Sequence, residues 1–172
     1  MNFPGTLKSK LHKTGTTIFT IMSGLANEYG SKDLIGLVNK YMMDGYNQYA
    51  PMPGYRPLRE KLAAKINHLY TASYDADKEI TITSGGTQAI YAAITSIIKE
   101  GDEVIVFEPA YDCYVPAIEL NGGIPVQLQL KGPDFHIDWN EVKKMVNQRT
   151  RMIMINTPHN PTGSVWTAED MA

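Results

Sequence analysis

"EITITSGGTQAIYAAITSIIKEGDEVIVFEPAY" runs from Glu79 to Tyr111 and decides the fold. "EITITS" is rich in β-formers, and "TQAIYAAITSIIKEG" places Ile90, Ile94 and Ile97 on one side of a helix that stops before Gly101. "EVIVFE" is a second short apolar strand. The same rhythm continues downstream. A helix through "DCYVPAIELNGG" carries its proline near the first turn, and "IPVQLQL" alternates apolar and polar residues, as a strand less buried on one face would. Asp138 and Glu141 stand three apart at the start of "DWNEVKKMVN", as an N-cap and its partner would, and "RMIMIN" is a fourth strand. Regular alternation predicts right-handed crossovers and a mostly parallel sheet with helices on both faces, a three-layer α/β/α architecture.

Upstream the pattern is helical. Ile18, Ile21, Met22 and Leu25 keep helical spacing up to a stop at Gly30, and Ser31 is a cap for "KDLIGLVNKYMMDG", with Leu34, Val38 and Tyr41 on one face and Gly45 beyond the end. "GYNQYAPMPGYR" is a Pro/Gly-rich loop. Pro57 then sits in the first turn of a helix with an apolar stripe of Leu58, Leu62, Ile66 and Leu69.

Composition narrows the function classes. A chain of 172 residues with 43% apolar residues and a net charge of -2 is of ordinary globular type. Its Lys and Arg are scattered, so neither a nucleic-acid nor a membrane partner is expected, and no apolar run is long enough to span a bilayer. Cys113 is the single cysteine, which excludes an internal disulfide and fits a reducing compartment. "MNFPGTLKSKLHK" is basic without the apolar core of a signal peptide, so the cytoplasm is expected. No metal site is expected.

In an open parallel sheet, ligands bind outside the carboxyl ends of the strands. Three strand ends here are chemically unusual: "SGGTQ", "EPAYDCY" and "NTPHNPTG". The two glycines of the first let the backbone approach a phosphate at a helix start, or they serve a tight turn; the spacing matches neither the Walker loop nor the dinucleotide fingerprint. Tyr111 in the second is placed to stack on a flat ring or simply to pack. Cys113 reads as a small buried hydrophobe. In the third, Pro158 and Pro161 stiffen an elbow that holds Asn160 where its amide can bond beyond the sheet, and His159 reads as structural.

Taken together, "YNQYAPMPGYRPLREKLA", "ITSGGTQAIYAAI", "GDEVIVFEPAYDCYVPAIELNGG" and "NTPHNPTG" resemble the amino-terminal half of a class I aminotransferase of fold type I, dependent on pyridoxal phosphate, near the methionine/kynurenine branch. The resemblance runs from "GTTIFTIMS" to the last residue. It implies that residues 1–45 form an amino-terminal helical segment, part of a small domain or arm, and that 46–172 begin the cofactor-binding large domain. It implies roles as well: Gly86, Thr87 and Gln88 for the cofactor phosphate, Tyr111 stacked on the pyridine ring, Asn160 on its ring oxygen. Tyr49 would reach across a homodimer to the neighbouring subunit's phosphate. The implied reaction moves an amino group from a neutral, sulfur-containing or aromatic amino acid to a 2-oxo acid.

That chemistry needs a lysine, an aspartate at the pyridine nitrogen and an arginine for the substrate carboxylate, and none is recognisable in the chain. The family places them beyond "TAEDMA", where Thr167 and Asp170 open a new helix, so the chain is expected to be about half an enzyme and inactive alone. Ser96 and Lys99 mimic the spacing of the family's lysine motif, but Lys99 closes a helix at the sheet edge opposite the ligand. A glycine- and proline-containing segment of the family is missing at the Gly30–Ser31 junction, where unseen residues are expected rather than a deletion. Three alternatives stand beside this reading: a carbon–sulfur lyase of the same fold, a non-catalytic aminotransferase-like regulator, and a plain phosphate- or nucleotide-binding domain.

Overall fold

The computed structural model describes residues 32–171. The expected helix through "TIFTIMSGLANEYG", its stop at Gly30 and the cap Ser31 lie outside them. Packing divides the described residues into two units, 32–85 and 86–171.

The second unit holds the sheet. Its elements are α3 (Gly86–Ile97), β1 (Glu103–Glu108), α4 (Tyr114–Leu120), β2 (Ile124–Gln129), α5 (Trp139–Met145) and β3 (Thr150–Met154); α1 (Lys32–Met43) and α2 (Arg56–Tyr70) belong to the first unit. All three strands are parallel in the order β2-β1-β3, with Val106 opposite Gln127 on one side and Met154 on the other. The central strand is buried on both faces, and its alternation divides the core. Val104 and Val106 pack with Ile94 and Ile98 at the end of α3, and with Ala117 and Ile118 of α4. Ile105 and Phe107 face the other way, onto Leu130, Val142 of α5, and Trp166. Helices thus cover one face and a helix with its flanking loops covers the other, which is the expected three-layer arrangement, incomplete as yet in its sheet. Pro125 lies in an outer strand, where its missing N–H breaks no central ladder.

Three local expectations hold with atomic detail. Asp138 caps α5 by accepting from the N–H groups of Asn140 and Glu141. Pro116 sits in the first turn of α4. Thr167 and Asp170 exchange the bonds of a cap, Thr167 N–H donating to Asp170 Oδ2 at 2.9 Å and Asp170 N–H to Thr167 Oγ1 at 3.2 Å, although among the described residues they enclose a turn and not the expected helix. On α3 Ile94 is buried as expected, but the next buried side chain is Ile98, just past the helix, rather than the expected Ile97, because the chain leaves the helix there and Ile98 turns onto β1.

One expected strand is absent among the described residues. "EITITS" forms no ladder; the Ile82 N–H donates instead to the Pro53 carbonyl at 2.9 Å. A β-rich composition fits a pleated surface without creating a neighbour to pair with, so the predicted first strand of four is replaced by a sheet of three.

The amino-terminal ends of the strands are clamped. Glu103 is buried, with Oε1 accepting from Arg149 Nε at 2.7 Å and Nη2 at 2.6 Å, and Oε2 accepting from Asn147 Nδ2 at 2.7 Å. The Asn147 bond, and after it the Arg149 guanidinium, hold the carboxyl below its ordinary range. This clamp fastens β1 to the turn entering β3 at the end of the sheet away from the loops described below.

In the first unit, α1 (Lys32–Met43) ends as its sequence implies. Gly45 takes φ +92°, its N–H meets the Met42 carbonyl, and the Tyr46 N–H meets that of Tyr41. The expected face of Leu34, Val38 and Tyr41 is exposed among the described residues. Helix α2 (Arg56–Tyr70) carries Pro57 in its first turn, but its buried face is Arg59 and Ala63, while Leu58 and Leu69 are exposed and Leu62 and Ile66 only partly covered. Arg59 is buried because its guanidinium has work there: Nε donates to Gly54 O at 3.2 Å and Nη1 to Ala76 O, with Asp77 Oδ1 alongside at 3.4 Å. That network holds Gly54, at the far end of the loop that also carries Tyr49. No helix among the described residues is long and apolar enough to cross a membrane.

Candidate functional site

Parallel strands deliver their loops to one end of a sheet. β1 runs into Pro109–Tyr111 and β3 into Ile155–Gly163, and between them a cavity of about 280 Å³ opens, lined by Gly86, Ile90, Tyr111, Tyr114, Asn156 and Asn160. Gly86 and Ile90 are one turn apart on α3, and Tyr111 and Tyr114 are three apart where the chain enters α4, so each pair shares a side.

The aromatic pair is held from two directions. The two rings meet edge to face with centroids 5.7 Å apart, and the Tyr111 hydroxyl lies 3.1 Å from Thr87 Oγ1 in the first turn of α3. Tyr114 is buried against Ile94 and Ile118, and its hydroxyl bonds Asn156; burial pushes that hydroxyl's pKa up, so it stays protonated. Cys113 packs partly buried against the same cluster, and burial, with Asp112 nearby, raises its thiol, in keeping with a small hydrophobe.

The elbow is closed on itself. The His159 N–H donates to Ser164 O at 2.8 Å and the Gly163 N–H to His159 O at 2.6 Å. His159 is 4% exposed, and its Nδ1 lies 2.8 Å from Thr162 Oγ1. Burial pushes the imidazole below its ordinary pKa, with the Glu108 carboxylate acting weakly the other way, so the ring is neutral near pH 7. Asn160, between His159 and Pro161, faces the cavity.

Of the residues singled out from sequence, Gly86, Tyr111 and Asn160 come together around one cavity. Thr87 joins them through the Tyr111 hydroxyl. Gln88 lies exposed in the first turn of α3 and is not part of the lining. Tyr49 is fully exposed in the unit 32–85. Lys99 lies just past α3, its N–H on Asp102 Oδ2 and its carbonyl accepting from the Asp102 N–H, where the amino-terminal end of β1 begins. Ile90, read from sequence as part of an apolar helix face, and Tyr114 and Asn156 were not singled out for the site. Asn156 follows β3 by two residues, so the strand-end rule itself marks it.

The lining is two amides, two phenol rings, an aliphatic side chain and a glycine at a helix start. It offers hydrogen bonds, flat apolar faces and N–H groups that suit an anion. It contains no carboxylate, imidazole, amine or thiol, so it can bind and orient but needs a reactive group from elsewhere. Among the described residues no group of three or more His, Cys, Asp or Glu side chains is arranged to hold a metal ion.

Comparison with known proteins bears on the chain as a whole. The family model for aminotransferase class I and II matches residues 24–172. Methionine aminotransferase of Escherichia coli is 45% identical over 184 residues, covering 99% of this chain and 48% of that protein. The crystal structure of YbdL from Escherichia coli, described as having a methionine aminotransferase function, superposes with a TM-score of 0.86 at 44% identity, over 97% of this chain and 47% of that one. N-succinyldiaminopimelate aminotransferase of Mycobacterium tuberculosis superposes with a TM-score of 0.85 at 34% identity, again over 97% and 47%. The chain spans about half the length of the curated relatives it matches. Class I aminotransferases of this kind depend on pyridoxal phosphate. On its sequence and on the fold it shares with these enzymes, the chain belongs to the class I and II aminotransferase family.

Proposed function

We propose that this chain supplies the amino-terminal half of a pyridoxal-phosphate site, in a transaminase that moves the amino group of a neutral, sulfur-containing or aromatic amino acid to a 2-oxo acid. The observation that carries the reading is the convergence of Gly86, Tyr111 and Asn160, from three separate segments, on one cavity. The residues present suit the cofactor. A Cβ built on Gly86 meets nothing within 4 Å, which leaves room at the helix start for a phosphate group. The cavity beside it offers an aromatic face and amides of the kind a pyridine ring with a phenolic oxygen requires.

When bound, the cofactor supplies an electron sink for the charge left as the amino acid loses its α-proton. This chain's residues bind and orient. The N–H groups at the start of α3, from Gly86, Thr87 and Gln88, hold the phosphate. Tyr111 covers one face of the ring, steadied by Thr87. Asn160 donates to the ring oxygen and so favours its ionised form. Tyr114 keeps the Asn156 amide turned in a fixed direction beside it. Tyr49 extends to the phosphate of the partner subunit in a homodimer, in the cytoplasm, and the lysine, aspartate and arginine of the reaction lie outside this chain.

The test is direct. The intact gene product, given pyridoxal phosphate, a panel of methionine-like and aromatic amino acids and a 2-oxo acid, yields new amino acid. Release of ammonia with a cleaved side chain, and no amino transfer, would favour the carbon–sulfur lyase.

A further inference from the structure

The elbow after β3 contains more order than a connection needs. Thr157, Pro158, Pro161 and Gly163 are exposed, as loop residues usually are, yet His159 in their midst is buried. Its Nδ1 meets Thr162 Oγ1 at 2.8 Å; that oxygen also lies 2.8 Å from Ser164 Oγ and accepts from the Ser164 N–H at 3.3 Å. Two backbone bonds close the same six residues, His159 N–H to Ser164 O and Gly163 N–H to His159 O. Asn160 is the next residue after the imidazole, and Pro161 restricts the chain on its other side. Its backbone is therefore fixed from both directions, and only its own side-chain torsions remain to aim the amide into the cavity.

We infer that His159 is a positioning residue, whose Nδ1 contact with Thr162 sets where Asn160 enters the cofactor cavity. The inference rests on the proposed function of that cavity. The imidazole acts as a neutral hydrogen-bonding wedge: with burial disfavouring its charge, one nitrogen and the Thr162 hydroxyl pair as donor and acceptor, whichever carries the proton. Loss of the pair frees the loop between the prolines and blurs the position of the Asn160 amide without removing it. A packing role predicts something different, since it depends on ring volume and not on the nitrogen.

Paired variants of the intact gene product separate the two. His159→Leu and Thr162→Val keep volume and lose the contact, whereas His159→Asn loses the ring and keeps a polar atom at the place of Nδ1. The readouts are the dissociation constant for added pyridoxal phosphate and the absorption band of the bound cofactor, which reports the ionisation of the ring oxygen that Asn160 faces. His159→Leu and Thr162→Val are expected to weaken binding roughly five- to thirtyfold, the worth of one misdirected hydrogen bond, and to shift the band. His159→Asn is expected to stay near wild type in both. In an Asn160→Ala background, Thr162→Val should add almost nothing, because its effect passes through Asn160. Retention of affinity and band by His159→Leu with loss in His159→Asn overturns the inference, as does a Thr162→Val effect that persists in full without Asn160. Failure of the wild-type protein to bind the cofactor would instead sink the cavity's proposed function, and this inference with it.

Discussion

Tyr49→Phe removes one hydroxyl from a side chain with a relative exposure of 105%, which makes it a clean perturbation. The side chain packs against nothing that burial would register, so the stability of its own chain should change by less than about 0.5 kcal/mol. The loop around it is held independently, by Arg59 on Gly54 O and by the Ile82 N–H on Pro53 O. If Tyr49 donates to a phosphate across a homodimer, the lost charge-assisted bond is worth about 1.5–3 kcal/mol, and cofactor retention should fall roughly ten- to a hundredfold. A mixed dimer identifies whose site is served. One subunit carries Tyr49→Phe and its partner carries Asn160→Ala, with different affinity tags so that only the mixed species is recovered. If Tyr49 crosses, one site combines an intact Asn160 with an intact Tyr49 and the other collects both defects. Titration with pyridoxal phosphate then resolves a wild-type class of sites and a much weaker one. Absence of the wild-type class, with one site at the affinity of the Tyr49→Phe homodimer and the other at that of Asn160→Ala, would refute the crossing; unchanged affinity in the Tyr49→Phe homodimer would refute any phosphate contact.

Other consequences follow from particular contacts. A Cβ added at Gly123 would stand 2.7 Å from Ile98 Cγ2 and 2.9 Å from Ile118 Cγ2, so Gly123→Ala should lower stability by about 1–3 kcal/mol, seen as an earlier urea midpoint with an unchanged slope. His159 has its folded pKa depressed by burial from an ordinary 6.5, so the unfolded state binds the extra proton first. Its contribution to stability is present above pH 6.5 and is lost as pH falls toward the folded value, and His159→Asn should flatten that part of a pH series of urea midpoints. Borohydride reduction of this chain with pyridoxal phosphate should leave no single stoichiometric pyridoxyl-lysine on peptide mapping, since no lysine lines the cavity. Specific labelling of Lys99 would contradict its place beyond α3.

The layers were legible because the 3.6-residue apolar period of α3 gives way in β1 to a short unbroken apolar run, Val104 to Phe107, as in a strand buried on both faces. Where periodicity failed, a partner made the difference. "EITITS" has the composition of a strand, but composition reports the surface a segment suits and not the neighbour it finds. The stripe expected on α2 was drawn through Leu58 and Leu62, whereas the buried line runs through Arg59 and Ala63. Hydropathy places an arginine outside by default, and nothing local announces that Gly54 O, Ala76 O and Asp77 will satisfy it.

For the candidate site, the strand-end rule chose loops that line the cavity but only some of the side chains within them. Gly86 and Tyr111 were found for their chemistry; Ile90 and Tyr114 were passed over, although each follows from its neighbour. Once Gly86 faces a cavity from the first turn of a helix, the residue four later lies above it on the same side, and that residue is Ile90. The same step of three from Tyr111, as the chain turns into α4, reaches Tyr114. Gln88, two positions from Gly86, points elsewhere for the same geometric reason. Its share in holding a phosphate therefore falls to its backbone N–H, which a helix start directs along the axis whatever side chain it bears. Gln88→Ala should then leave cofactor affinity within about twofold, while a proline at position 88, which deletes the N–H but is tolerated in a first turn, should weaken it by the full worth of a charge-assisted bond. Equal losses in the two variants would mean that the Gln88 side chain, and not the helix start, makes the contact.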